Sequence, residues 1–129
     1  MKSEKGQAAL EFALILPILL YVICGITDFG RILYTKNALT TMSQQAARYA
    51  SIDSTRTDSD ISTFVRGNAA VSDTSTSTLT IATTPTPTRT SGDLVKVTLS
   101  YKIKYITPWM NKILASPYTI TASSTFRVE

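Results

Sequence analysis

Between Glu11 and Asp28 the chain carries no charged residue. A helix needs about 20 mostly apolar residues to cross the hydrocarbon core of a bilayer. Gln7 to Thr27 has that length, and Glu11 is its one exception. A carboxylate near a membrane face is disfavoured unless it snorkels, protonates or finds a partner. Glu11 therefore marks a function rather than a packing choice. Lys2 and Lys5 form a short basic head before the run. Together with the initiating amine they favour a cytoplasmic N-terminus and place everything after the helix outside. Arg31, Lys36 and Arg48 on the far side dilute that asymmetry.

A partner for Glu11 becomes available if the chain is cut between Gly6 and Gln7. Gln7 then gains an α-amine, cationic below a pKa of about 8. Gln7 and Glu11 lie one helical turn apart on the same face. The amine can meet the carboxylate of its own chain or, among parallel helices, that of a neighbour, which would set axial register.

Gly6 followed by Gln7-Ala8-Ala9-Leu10-Glu11-Phe12 resembles a type IV prepilin site. The longer pattern closely resembles the TadE-like family: Gly6 through Pro17, then Gly25-Ile26-Thr27-Asp28-Phe29-Gly30-Arg31, then Ala46-Ala47-Arg48-Tyr49-Ala50. These are minor pilins, or pseudopilins, of the tight-adherence (Tad, type IVc) pilus system. The resemblance covers roughly the first 50 residues, and beyond Ser51 no motif is recognised. It implies a leader of residues 1–6 removed by a prepilin peptidase, with Gly6 and Gln7 flanking the cut. Glu11 and Phe12 would be assembly and register residues, and Ala8 to Ile26 would supply anchor and helix-bundle contacts. The implied partners are the peptidase, sibling minor pilins and pilus subunits, an inner-membrane assembly platform with its ATPase, and membrane lipid. The implied location is the inner membrane, crossed once, with the C-terminal domain periplasmic or extracellular and the chain entering a fibre involved in assembly or adhesion.

Two alternatives stand beside it. One is an uncleaved single-pass signal-anchor protein whose outer domain binds a surface or ligand. The other is a type II secretion-like pseudopilin. A conventional signal peptide needs a small-x-small cleavage site, which Tyr21, Ile23 and Asp28-Phe29 do not supply. The same bulky neighbours disfavour Cys24 as a lipoprotein cysteine.

The residue types present narrow the chemistry. The chain has no histidine, so the commonest general base and metal ligand is missing. Its single cysteine, Cys24, lies in the apolar run, reads as a packing residue and permits no internal disulfide. Asp58-Ser59-Asp60 holds two acids without a glycine-bearing loop and reads as a helix start rather than a calcium site. No phosphate-cradling glycine loop appears. The formal charge of +4 is spread along the chain and does not suggest nucleic acid. The expectation is a non-enzyme with no cofactor and no metal.

The fold expected is α+β and pilin-like: a long N-terminal helix, transmembrane in its first half and amphipathic in its second, packed on a small three-stranded antiparallel sheet. The helix is expected over 7–50, with its membrane segment at 7–27. Pro17 and Gly25 weaken it, and in the pilin reading let it bend or stretch when the subunit leaves the membrane. Phe29, Ile32, Leu39, Met42, Ala46 and Tyr49 form a stripe that should face the core. Asp28 and Arg31 can pair on the exit turn, and Gly30 offers a small-residue spot for close approach. Residues 51–129 should form a soluble extracytoplasmic domain.

In that domain a second helix is expected over Asp58–Val71, capped by Ser59 or Asp60, with Ile61, Phe64, Val65 and Val71 on its apolar side. Ser72–Thr78 reads as loop. Leu79, Ile81 and Thr83 alternate as a strand, and Thr84-Pro85-Thr86-Pro87-Thr88 is a stiff connection. Ser91-Gly92-Asp93 signals a turn. The clearest strand sets Val95, Val97, Leu99, Tyr101, Ile103 and Tyr105 on one face, with Pro108 ending it. One helical turn is expected near Trp109–Leu114. A last strand sets Tyr118, Ile120, Ala122, Phe126 and Val128 inward. Three strands, each apolar on one face, need a cover, and the amphipathic half of the long helix is the natural one.

Overall fold

The computed structural model describes residues 2–86 and 88–129, with the side chains of Lys2 and Ser3 outside that description. The initiating amine, the Lys2 side chain of the basic head and Pro87 of the stiff connection therefore lie outside the described residues. The elements are α1 (Lys2–Ser51), α2 (Asp58–Asn68), β1 (Leu79–Thr84), β2 (Leu94–Ile103), α3 (Met110–Ile113) and β3 (Tyr118–Arg127).

α1 is one unbroken helix. It begins five residues earlier than Gln7, so residues 2–6, expected to be a leader, are helical too. Pro17 removes one backbone donor, yet neither it nor Gly25 interrupts the helix. The apolar residues on either side are good helix formers, and a single lost bond does not outweigh the turns that flank it.

The two halves of α1 live in different surroundings. Every side chain from Glu4 to Ile23 is exposed. The second half buries Leu39, Met42, Ala46, Ala47 and Ala50 against the sheet, with Ile32 and Tyr49 half-buried. Phe29, expected in the core stripe, is 62% exposed. The buried line runs instead through Asp28, Ile32, Thr35, Leu39, Met42 and Ala46, at steps of three and four. A carboxylate thus takes the core-facing slot at the start of the line, and Phe29, one residue round the helix, faces out.

The sheet is an antiparallel meander in the order β1-β2-β3. Register pairs Leu79 with Tyr101 and Ile81 with Leu99 in one ladder, and Leu99 with Ala122 and Tyr101 with Ile120 in the other. Alternation along β2 buries Val95, Val97, Leu99, Tyr101 and Ile103 beneath α1 and α2. The regular strand ends at Ile103, although Tyr105 beyond it remains buried. Ile120 and Ala122 on β3, and Val128 just beyond its end, are buried as their spacing predicts. Tyr118 and Phe126 stay largely exposed because they lie toward the ends of an edge strand.

Three contacts fix how α1 crosses this sheet. Lys36 Nζ donates to the Thr121 carbonyl, Ser43 Oγ lies 3.0 Å from Ser124 Oγ, and Glu129 N donates to Ser51 O at 3.0 Å. Residue numbers rise together on both elements, so α1 runs parallel to β3 and antiparallel to β2. The β2–β3 connection consequently falls at the end of the sheet nearest the apolar half of α1. The β1–β2 turn lies at the opposite end. There Gly92 adopts φ 95°, a conformation glycine accepts readily, and donates to Val128 O at 2.8 Å.

α2 is started by Thr57 rather than by Ser59 or Asp60. Thr57 Oγ1 accepts from Asp60 N at 3.2 Å, while Asp60 Oδ2 accepts from Thr57 N at 2.8 Å, a reciprocal capping box. The helix ends at Asn68, so Val71 packs on the core from the following loop. Ile61 and Val65 are buried. Phe64 stacks on Tyr49 at 4.3 Å, and the Arg56 guanidinium lies 3.6 Å from the Tyr49 ring centre. Asp58 accepts from Thr83 Oγ1 at 2.6 Å and from the buried Arg89 guanidinium, which ties the β1–β2 connection to the start of α2. Both acids of the Asp58-Ser59-Asp60 run are thus occupied by protein donors.

Asp28 makes a further long-range polar link, with three donors from one connection. It is 2% exposed and accepts from Ile106 N at 2.9 Å, Thr107 N at 3.0 Å and Thr107 Oγ1 at 2.7 Å. Arg31 stands 3.7 Å from its other side and donates to the Lys104 carbonyl at 3.4 Å. The start of the β2–β3 connection is thereby clipped to α1.

Asp28→Ala should lower the stability of the full chain in detergent micelles by about 2–4 kcal/mol, because two backbone donors and a hydroxyl lose a charged acceptor. Asp28→Asn, which keeps one oxygen, should lose less; urea unfolding followed by Trp109 fluorescence measures both. Asp60 gives a pH signature. The Thr57 backbone N–H, and then its hydroxyl, hold the Asp60 carboxyl below the usual carboxylate range. That contribution is present above the unfolded value of about 3.9 and is lost as pH falls through the lower folded one. The stability deficit of Asp60→Asn against the parent should accordingly be full at neutral pH and disappear in strong acid, read by circular dichroism melts across that range.

Candidate functional site

The residues singled out in the sequence fall on two stretches of α1. Gly6, Gln7, Glu11 and Phe12 occupy its first turns, and Pro17 and Gly25 follow within the same exposed half. Gln7 Nε2 donates to Glu11 Oε1 at 3.5 Å, so the one-turn spacing does bring these two side chains together. Phe12 lies beside Glu11 on the next helical position and is 65% exposed. Among the described residues, Gly6, Gln7, Glu11, Phe12 and Pro17 are exposed and Gly25 is half-buried.

The glycines of α1 have no packing reason within this chain. A Cβ built at Gly6, Gly25 or Gly30 would meet no atom within 4 Å. At Gly30 the chain's own domain does not approach, so the small-residue spot stays open. At Gly6 the missing side chain leaves the peptide bond to Gln7 unscreened and weakens the helix locally by about 1 kcal/mol relative to alanine. A protease needs both access and local unwinding at the bond it cuts.

Glu11 is set apart from the aspartates by its surroundings. Asp53, Asp60, Asp73 and Asp93 each accept a backbone N–H from a residue two or three positions away, and hydroxyl bonds (foremost at Asp53, from Thr55) together with these backbone bonds lower their pKa values. Asp28 is consumed by the β2–β3 connection, and Asp58 by Thr83 and Arg89. Among the described residues, Glu11 has only the weak amide contact from Gln7. It lies on a bare apolar helix surface, with Leu10, Leu14 and Ile15 exposed around it.

Sequence reasoning missed two arrangements that matter to the site. It paired Asp28 with Arg31, which is correct, but did not show that Asp28 also holds Ile106 and Thr107, nearly eighty positions away. It also gave no sign that the Trp109 ring meets Tyr21 edge-on at 5.6 Å, well inside the apolar half of α1. No local signal encodes either contact. The one available hint was a carboxylate in the register of an otherwise core-facing line.

Cys24 is a free thiol, half-buried. Among the described residues, no group of three or more His, Cys, Asp or Glu side chains is placed to hold a metal ion. A cleft of about 220 Å³ opens between α1, the loop after α2, and β2, lined by Arg31, Tyr34, Thr35, Val71, Ser72, Tyr101 and Ile103. The Arg31 guanidinium in it is engaged by Asp28 and Lys104.

α1 is long and apolar enough to cross a membrane, and the window that qualifies it is unburied by the rest of the chain. That half of the helix fits a single-pass membrane anchor. No curated protein and no solved structure matches the chain. The family model described as TadE-like protein matches residues 6–48. That stretch opens at the glycine before Gln7, passes through Glu11 and Asp28, and ends within the half of α1 that covers the sheet; the segment from Gly6 to Arg48 is TadE-like.

Proposed function

We propose that this chain is a minor pilin or pseudopilin of a Tad-type pilus, cut between Gly6 and Gln7 by a prepilin peptidase and taken up into a fibre or its initiating complex. The observation that carries the reading is the bare first half of α1. From Gln7 to Ile23 it is apolar on nearly all sides, exposed at every described residue and touched by the domain only where Trp109 meets Tyr21, and it bears one carboxylate a single turn from Gln7. Such a surface is satisfied by lipid while the chain is anchored and by parallel helices once it is assembled.

In this reading residues 1–6 are the leader, 7–27 the membrane segment of a helix reaching residue 50, and 51–129 the extracytoplasmic domain. The N-terminus is cytoplasmic, and the membrane is the inner one. Cutting after Gly6 has two electrostatic consequences. It creates a cationic amine one turn from Glu11, and it moves the positive end of the helix dipole to Gln7, so Glu11 comes to lie close to it. Both stabilise a carboxylate that lipid disfavours. When the amine comes from an adjacent subunit, the same attraction fixes the axial offset between helices. Phe12 packs beside that pair. Pro17 and Gly25 are the positions where α1 yields most easily when the helix changes from lipid to helix neighbours. The partners are the peptidase, sibling minor pilins, and the inner-membrane platform that extracts the subunit. The structural part played by this chain requires no cofactor.

N-terminal sequencing and intact mass of the protein from its native membrane test the cut. The expected mature chain begins at Gln7, whereas retention of residues 1–6 would leave an uncleaved signal-anchor protein. Glu11→Ala tests the pairing. It should remain in the membrane fraction at parental levels while its recovery in sheared fibres is lost; parental recovery would remove the assembly role from Glu11.

A further inference from the structure

α1 runs parallel to β3, which sends the β2–β3 connection toward the apolar half of the helix. Asp28 fastens the start of that connection at Ile106 and Thr107. The connection then continues past Asp28, because Trp109 reaches Tyr21. Seven helical residues separate Tyr21 from Asp28, about 10 Å along the axis. The connection therefore lies alongside the segment that fits a membrane anchor.

Its exposed side chains suit that position. Ile106 is 58% exposed, Ile113 65%, Leu114 46% and Trp109 41%, clustered within nine residues. This is an apolar surface that the described residues leave uncovered. The only charge between Tyr105 and Pro117 is Lys112. From Leu94 to Val128 the chain has bases and no acid, as phospholipid headgroups favour.

The length of the anchor places the bilayer boundary at this level. Glu11 to Asp28 rises about 25 Å, less than the roughly 30 Å of a hydrocarbon core. A core counted instead from Lys5, the last base before the apolar run, spans about 20 residues and ends near Gly25, so Trp109 against Tyr21 lies about one turn inside the outer boundary. Tryptophan and tyrosine concentrate at this depth because each has an apolar ring and a polar tip. Asp28 can sit there because its carboxylate is buried and supplied with donors by the connection itself.

We propose that the β2–β3 connection, residues 104–117, is a second membrane contact, seating Ile106, Trp109, Ile113 and Leu114 in the phospholipid interface beside α1. It holds the domain flush on the bilayer rather than at the end of a free stalk. The inference rests on reading the apolar half of α1 as a membrane anchor, but not on cleavage or pilus assembly.

Trp109 is the chain's single tryptophan, so it reports directly. The full chain is reconstituted into phosphatidylcholine–phosphatidylglycerol vesicles with brominated acyl chains, and alkaline carbonate extraction is run on the same vesicles. The expected result is strong quenching of Trp109 by bromines near the headgroup end, weaker quenching by bromines at the chain terminus, and protection from acrylamide. Ile113→Asp combined with Leu114→Asp should lose the lipid quenching while resistance to carbonate is unchanged. Acrylamide quenching without bromine quenching, in a chain that resists carbonate, overturns the membrane contact and leaves the anchor standing. Bromine quenching unchanged in the double variant also overturns it, because Tyr21 alone would then be holding Trp109 in place. Release by carbonate overturns the anchor and this inference together.

Discussion

A helix that leaves an apolar environment must meet its first charge somewhere, and here that charge is Asp28. The carboxylate is neither offered to water nor left bare. It turns into the protein and accepts two backbone donors and a hydroxyl from the connection between β2 and β3. Those donors are otherwise orphans, since β2 has ended at Ile103 and the chain is turning. One side chain thus satisfies a loop and fixes where along α1 the sheet sits, and the buried line from Ile32 to Ala50 follows from that phase. Arg31 adds a brace on the exposed side through Asp28 and Lys104.

The consequence is a molecule in which one helix serves two media. Below Asp28 it presents Leu, Ile and Val in every direction; above it, small and medium residues face the sheet and polar ones face out. Ala46, Ala47 and Ala50 let the helix backbone approach the sheet closely near its C-terminal end, where Glu129 reaches Ser51. Because the same continuous helix carries both halves, force or displacement applied to the apolar half is transmitted directly to the domain.

The polar middle of the chain is held by short-range chemistry rather than by a large core. The Thr57–Asp60 box, the Asp73 contacts to Ser75 and Thr78, and the Thr90–Asp93 turn each close within a few residues. The buried Arg89, reaching Asp58 and the Arg56 carbonyl at 2.6 Å, joins two of these local pieces. This economy of apolar residues is why the Ser/Thr-rich stretch reads as loop in the sequence yet remains well connected in the fold.

The long helix, the alternating strands, the antiparallel sheet laid on the helix and the Gly6–Glu11 spacing were all legible in the sequence, because each is written in periodicity or in residues a few positions apart. The stripe was legible in its spacing but not in its phase: Phe29 looks like its first member by hydrophobicity, and the fold gives that place to Asp28. Thr57 was passed over as a cap because two acids nearby carry the same preference, and only the geometry of the turn chooses among them. Whether Tyr118 and Phe126 are covered depends on how far α1 extends over an edge strand. The clip at Asp28 and the meeting of Trp109 with Tyr21 belong wholly to tertiary structure, since they follow from the parallel run of α1 along β3. The sequence determined which residues want to leave water, while the direction in which the sheet crosses the helix decided which of them do so together.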